Sequence, residues 1–406
     1  MDGARTGRIP ARALTVVLGL ILVAALGVGA LTVGAGAKGE PPERLTEKEL
    51  LSRVSAAPES APDFRATVAV EQMLVPEGLL GVSEGGDTAD SGPRTARVWR
   101  GGPDRLRAEL QRENGDRVLV RNGVRVSIYD GASNTLETGE KPEDALWGAD
   151  GLPGASPEEI DKLLAEIAPS SKLTTGAPVE VAGRWAYPLT LEPRDEGTTL
   201  VERAETLVDA EAFVPLLFEL YAEGRPEPVA RYEAQDFQVG PVPDERFEFE
   251  TPPDATVEGL EPRDARPDEH HESAEPRKVA SVKEASELAG FTVEELPEAP
   301  RGRELEKIIV AGDDGAALTY GSDWGAVVLA EKAGGEEGAG PIRGAEDQGG
   351  ELEVPAVDLG GGVRARELST PVGTVLSWNE GDVSYTLAGS VPAAELREAA
   401  RGLLAR

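Results

Sequence analysis

Three observations predict an α+β protein whose main body is a strongly curved antiparallel sheet with helices laid into its concavity. Segments of apolar–polar alternation recur from residue 64 to residue 250, separated by Gly, Pro and Asn turn signals, the period of a sheet covered on one face. Two stretches of helical period, at the start and in the middle of that series, supply the cover. An uncharged apolar run of membrane-spanning length precedes this body, and a shorter mixed series follows it as a small α+β domain.

Composition narrows the class. The chain has 406 residues, 48 Gly and 31 Pro, and is 40% hydrophobic, which suits two globular domains with loops and a linker. Asp and Glu number 74 against 41 Lys and Arg, a formal charge of −33, so the surface as a whole repels phosphate backbones and anionic lipid headgroups, and nucleic acid is not the expected partner. No cysteine is present, which rules out disulfides, thiolate metal sites, cysteine nucleophiles and acylation at a lipoprotein-type cysteine.

Residues 1–37 are read as a signal peptide or a signal anchor. Arg5, Arg8 and Arg12 precede the run Leu14 to Val33, close to the ~20 residues that cross a bilayer. Arginines before the run and an acidic remainder after it put the body outside the cytoplasm, anchored to the cell membrane or released into the envelope. Ala35-Gly36-Ala37 offers a cleavage site, whereas the run is longer than the ~7–15 residues of a cleaved signal core. A buried soluble helix fits poorly because the run has no polar face.

In the body, 45–57 carries Leu45, Leu50, Leu51 and Val54 at helical spacing, with Thr46 placed to cap. Strands are expected at 64–74, 94–101, 105–113, 116–123 and 124–131, with Asn122-Gly123 turning the last pair. Residues 81–93 read as a polar loop. A helix at 156–170 follows, capped by Ser156, with Pro157 at its first position and Ile160, Leu163, Leu164 and Ile167 in one stripe. Strands resume at 179–194, turning at Ala182-Gly183, then at 198–210, 213–224 and 228–240. In RFEFETPPDATV, 246–257, Phe247 and Phe249 alternate with Glu248 and Glu250 before Pro252 and Pro253 end the ladder. That pattern predicts a final strand of the sheet.

RVWRGGPDRLRAEL, the VLVRNGVRVSIYDG hairpin, VAGRWAYPLTLEPR, LVDAEAFVPLLFELYAEG and FEFETPPDATV resemble, in the same order, the blocks of LolA-like and RseB-like envelope proteins, in the long two-domain form of high-GC Gram-positive bacteria. The resemblance covers 43 to 258. It implies an open β-barrel, a half-barrel lidded by helices, whose hydrophobic hollow holds acyl chains and whose last strand contains Phe247 and Phe249. Ala212-Phe213 before Val214-Pro215 departs from the Thr-Gly usual in that turn.

Residues 38–260 are therefore taken as the half-barrel domain and 261–278, charged and free of large apolar residues, as a solvated acidic linker. Residues 279–406 form the small α+β domain, with helices at 281–291 and at the C-terminus and strands between. GSDWGAVVL and GDVSYTLAGSVPAAELREAA resemble the second domain of the long Gram-positive forms.

Enzyme chemistry is not expected. The only histidines, His270 and His271, sit in the linker beside Asp268, Glu269 and Glu272, as either a metal cluster or, better, a solvated acidic segment, since ligands need held geometry. A Ser-His-Asp or Cys-His site cannot be assembled in the folded domains, and GGGV at 360–363 lacks the context of a phosphate loop. No cofactor is implied. The lipid reading assigns Leu106, Ala108 and Leu110, Val126 and Ile128, Tyr187, Leu189 and Leu191, and Leu216, Phe218 and Leu220 to the hollow; the plain alternative is a filled core beneath the two helices. Three functions stay open: a lipid or lipoprotein carrier or receiver, a sensor that also grips a membrane-bound anti-sigma factor, and a structural envelope protein. Protease added to intact spheroplasts is expected to degrade everything after Lys38. Protection of the whole chain contradicts the exported topology, and a mature N-terminus at Lys38 or at Met1 or Asp2 decides between cleavage and anchor.

Overall fold

The computed structural model describes residues 39–72, 94–140, 161–259, 276–334 and 355–405, except 113, 163, 166 and 196. The run Leu14 to Val33, the loop 81–93, the start of the helix at 156–170 and the histidine pair lie outside the described residues. Among the described residues no helix is long and apolar enough to cross a membrane. The chain divides into two compact units, one of Met1–Arg194 with Glu202–Glu261, the other of Asp195–Val201 with Pro262–Arg406.

The first unit opens with helix α1 (Glu47–Ser60). The Thr46 hydroxyl accepts from the Glu49 amide at 3.3 Å while the Glu49 carboxylate accepts from the Thr46 amide at 2.9 Å, a capping box that satisfies two otherwise orphaned donors. Its strands are β1 (Phe64–Gln72), β2 (Arg94–Arg100), β3 (Arg105–Leu110), β4 (Arg117–Asn122), β5 (Arg125–Asp130), β6 (Thr135–Glu140), β7 (Ser171–Thr175), β8 (Val179–Val181), β9 (Arg184–Pro193), β10 (Val201–Asp209), β11 (Pro215–Ala222), β12 (Ala230–Val239) and β13 (Thr256–Gly259). They form one 13-stranded sheet in the order β13, β6, β5, β4, β3, β2, β1, β12, β11, β10, β9, β7, with β8 also on β9. The ends β13 and β7 do not pair, so the sheet is not closed into a barrel. The β6 segment, TLETGE, carries one large apolar residue and gives no alternation to read.

The hairpin of β4 and β5 pairs Asn122 with Arg125, which moves the turn one residue on from Asn122-Gly123 to Gly123-Val124, with Gly123 at φ 63°. Ala182 and Gly183 turn β8 into β9 with φ 52° and 72°, the pair of positive angles that matches strand twist in a two-residue hairpin. Phe213 adopts φ 54°, a conformation that costs a side-chain-bearing residue about 1–2 kcal/mol and glycine nothing. Its ring stacks on Tyr187 at 6.3 Å, and the Arg53 guanidinium of α1 lies 5.0 Å from it. Packing against α1 offsets the strain.

The stretch 246–257 corrects the sequence reading. Asp244–Phe247 is a 3-10 turn, Glu248 to Glu250 pair with no strand, and the ladder resumes only at β13, parallel to β6. Phe247 and Phe249 do share a side, but what they cover is the outer face of β3 to β5. Phe247 is buried under the Arg105 guanidinium at 5.1 Å, and Phe249 meets Tyr129 at 5.5 Å. The backbone carbonyls bond to side chains: Arg107 donates to Arg246 O at 3.3 Å and Glu248 O at 3.1 Å, and Asn122 donates to Phe247 O at 3.4 Å. The segment is thus a strap across the sheet, and its alternation reports a covered face without reporting a ladder.

The second unit is an eight-stranded antiparallel sheet in the order β14 (Arg277–Val279), β15 (Leu305–Ala311), β16 (Gly315–Tyr320), β17 (Val327–Ala333), β21 (Val383–Gly389), β20 (Gly373–Glu380), β19 (Val363–Thr370), β18 (Ala356–Gly360). Helices α2 (Val282–Ala289) and α3 (Ala393–Leu404) bury Ala285, Ala289, Leu396, Ala400 and Leu403 against Leu318, Leu329, Leu376 and Leu387. Arg277 and Lys278, expected in the linker, pair with Val310 and Ile309. Within this unit the segment 195–201 is held by Leu200 N on Ser390 O at 3.0 Å and Arg303 Nη2 on Thr198 O at 2.8 Å. Glu331 lies on the covered face, paired with Ala316 and Tyr385 and 2% exposed. Its oxygens accept the Glu294 amide at 3.0 and 3.1 Å, and burial pushes its pKa from 4.5 up to about 8.

Because a Cβ on Gly101 would lie 2.6 Å from the Phe247 ring, Gly101→Ala is expected to destabilise the wild type in denaturant melts, and much less so a Phe247→Ala background; equal costs in both would mean that the ring does not sit against Gly101. For Glu331 the folded state holds the proton more tightly than the unfolded chain, so stability falls as pH rises from 4.5 through about 8. Relative to wild type, Glu331→Gln should gain melting temperature across that window and match it below. A constant difference at all pH values would mean that the carboxyl does not titrate there.

Candidate functional site

Register places the expected hollow residues on one continuous face. Val68 pairs with Ala96, Ala96 with Leu110, Val98 with Ala108, Ala108 with Leu119 and Leu119 with Ile128, and directly opposed residues point the same way. In the other direction Val70 pairs with Tyr232, and Tyr232 with Phe218. Phe218 lines a small void with Leu173, Leu189, Leu191, Ala204 and Thr206, so the face continues to β9 and β10. Leu50, Leu51 and Val54 of α1 cover Tyr187, Leu189 and Val208 there.

The face has two unlike halves. On β9 to β11, Tyr187, Leu189, Leu191, Leu216, Phe218 and Leu220 are all buried, and the void among them holds about 10 Å³, room for one water. This half is packed. On β3 to β5, Val126 is buried, but Leu106, Ala108, Leu110 and Ile128 are only half-buried. Leu119 belongs with them and was missed from the sequence, because the run Val118-Leu119-Val120 is apolar throughout and conceals which residue faces which side. The strap accounts for Val118 and Val120, which lie on the outer face it crosses and are buried.

Polar groups bound the half-buried floor at both ends. At one end Arg100, buried, donates to Ala61 O and Pro62 O, and burial lowers its pKa. Arg121, equally buried, donates to Gly123 O at 3.0 Å. At the other end stand Arg94, Arg112 and Arg117. Arg112 bonds Asp130 at 2.7 Å and Gly115 O at 3.0 Å. Asp130 titrates below its ordinary value although burial opposes this, since Arg112 and the Ala132 and Ser133 amides stabilise the carboxylate. Beside α1, the Tyr187 hydroxyl donates to Glu43 O at 3.1 Å, and burial raises its pKa. Among the described residues no group of three or more His, Cys, Asp or Glu could hold a metal ion.

No family model matches the chain, and no curated protein matches it. Solved structures do. A chain of the MucA/MucB complex of Pseudomonas aeruginosa is 16% identical, with 87% of this chain and 96% of that one covered at a TM-score of 0.43. A LolA superfamily protein of Nitrosomonas europaea is 12% identical over 51% of this chain and 99% of that one, at 0.22. The lipoprotein LppX of Mycobacterium tuberculosis is 10% identical over 46% and 92%, at 0.23.

Proposed function

We propose that this protein is an extracytoplasmic receiver or carrier for the acyl chains of lipids or lipoproteins, tethered through residues 1–37. The observation that supports this best is the half-buried apolar floor of Leu106, Ala108, Leu110, Leu119 and Ile128 on a sheet that does not close. Acyl burial is worth ~0.8 kcal/mol per CH₂, and ordering costs are subtracted from that sum. Binding over part of a chain is then firm but reversible. The packed half under α1 holds the floor in shape, which moves the ligand from Leu189 and Phe218 to the β3 to β5 side. An anchored protein receives lipid more readily than it shuttles it. The ordered sequence blocks and the presence of a second unit with its own core keep a sensor in view, one that pairs the hollow with the exported part of a membrane-bound anti-sigma factor.

A fluorescent fatty acyl probe tests the reading. Delipidated wild type is expected to bind it saturably and stoichiometrically, Ile128→Glu to remain folded and lose binding because its carboxylate must be desolvated or protonated at a cost on the order of several kcal/mol, and Leu189→Glu to unfold the unit. No binding by correctly folded wild type would leave the structural role. Co-purification of an anti-sigma factor from envelope membranes would favour the sensor.

A further inference from the structure

The two ends of the half-buried floor differ in how their guanidiniums are occupied, and that difference bears on what binds. At the end where β2 runs into β3 (Arg100, Leu106) and β4 turns into β5 (Arg121, Val126), both guanidiniums face the floor and are occupied by backbone carbonyls. They close that end. At the opposite end the ladder pairs Leu110 with Arg117 and Arg117 with Asp130, all on the floor's side of the sheet. Arg94, two residues before Ala96, and Arg112, two residues after Leu110, continue the same side. Arg94, Arg112 and Arg117 share this end with Asp130, which Arg112 holds at 2.7 Å. Glu137, opposite Ile128 on β6, is a second acid on this side.

Arg117 differs from its neighbours. It is exposed, and among the described residues it has no ion pair or side-chain hydrogen bond. In a chain of formal charge −33, an exposed arginine beside an apolar strip stands out. A guanidinium beside an apolar strip offers planar, charge-assisted donors to a carboxylate or phosphate whose hydrocarbon lies on the strip. From Leu106 to Leu110 the strip runs roughly 13 Å at the strand rise of about 3.3 Å per residue. That length accommodates a segment of acyl chain with its headgroup at the Leu110 end.

We infer that the ligand is an anionic amphiphile, with its chain along Leu110, Ala108 and Leu106 and its headgroup paired with Arg117 at the end of the floor flanked by Arg94 and Arg112. This rests on the acyl-binding reading and deepens it, adding a direction and a headgroup charge. An uncharged lipid of the same chain would find the strip but not the rim.

The test compares a fluorescent fatty acid with its uncharged methyl ester on the full exported body, measuring Kd at low salt and in added NaCl. Wild type is expected to prefer the acid by roughly fivefold, as one exposed ion pair supplies, with the preference shrinking in salt. Arg117→Ala should remove the preference and leave ester affinity unchanged, Arg117→Lys should keep part of it, and Arg117→Glu should reverse it. Acetate at matched ionic strength should not displace the acid; displacement would mean a free-anion site and overturn the amphiphile. Equal affinity for acid and ester, or indifference to all three substitutions, overturns the headgroup assignment while leaving acyl binding intact. Binding of neither probe overturns acyl binding itself, and the headgroup assignment with it.

Discussion

The first unit depends on the pairing of β1 with β12. Phe64 opposes Val239 and Gln72 opposes Ala230, with a bulge at Thr67 and Val68, while the other edge of β1 pairs with β2. Without that ladder the sheet falls into two pieces, β1 to β6 with β13 and β7 to β12, each with a newly bare edge. Joining residues so distant in sequence carries a closure entropy, offset by the buried apolar cluster of Phe64, Ala66, Val68, Ala96, Val98, Ala234 and Phe237. The Phe64 and Phe237 rings, 5.0 Å apart, lie on adjacent strands of that junction.

One consequence is that β3 to β5 work on both faces. Odd-numbered Arg105, Arg107 and Tyr129 hold the strap that carries Phe247 and Phe249, and even-numbered Leu106, Ala108 and Ile128 line the floor. A strand pinned from outside can leave its inner face half-buried without losing its place in the sheet. On the far side α1 packs directly onto β9 and β10, and the strained turn at Phe213 is held by the same helix through Arg53. The sheet is thus covered on opposite faces in its two halves, which leaves an open floor in one and a filled core in the other.

The second unit meets the demand for buried partners differently. Its helices cover one sheet face fully, and a carboxyl group, Glu331, sits within that cover with the Glu294 amide as donor. Trp378 stacks on Tyr385 at 5.3 Å nearby. Polar groups in such a core are tolerated when hydrogen-bonded and are sensitive to protonation when not fully neutralised. Among the described residues of the first unit, the buried charges Arg100, Arg121, Asp209 and Glu219 are held by carbonyls, by Arg184 or by Tyr221 and Arg231.

Which segments are strands can be read from residue order alone, because period-two alternation and Gly or Asn turns are local properties: β1 to β5, β9 to β12 and the Ala182-Gly183 turn are legible residue by residue. Residue order also determines the capping of α1, since Thr46 and Glu49 stand at fixed spacing. What each alternating face meets depends on long-range packing. Phe247 and Phe249 read as a strand, yet their partners are side chains of β3 to β5, and alternation records that one side is covered while carrying no information on whether a ladder or a strap does the covering. Leu189 and Leu106 read alike in sequence, yet one is packed under α1 and the other half-open, because burial depends on which distant helix arrives. The same limit hid Leu119 within an unbroken apolar run and the segment 195–201 within the second unit, for both depend on neighbours far along the chain.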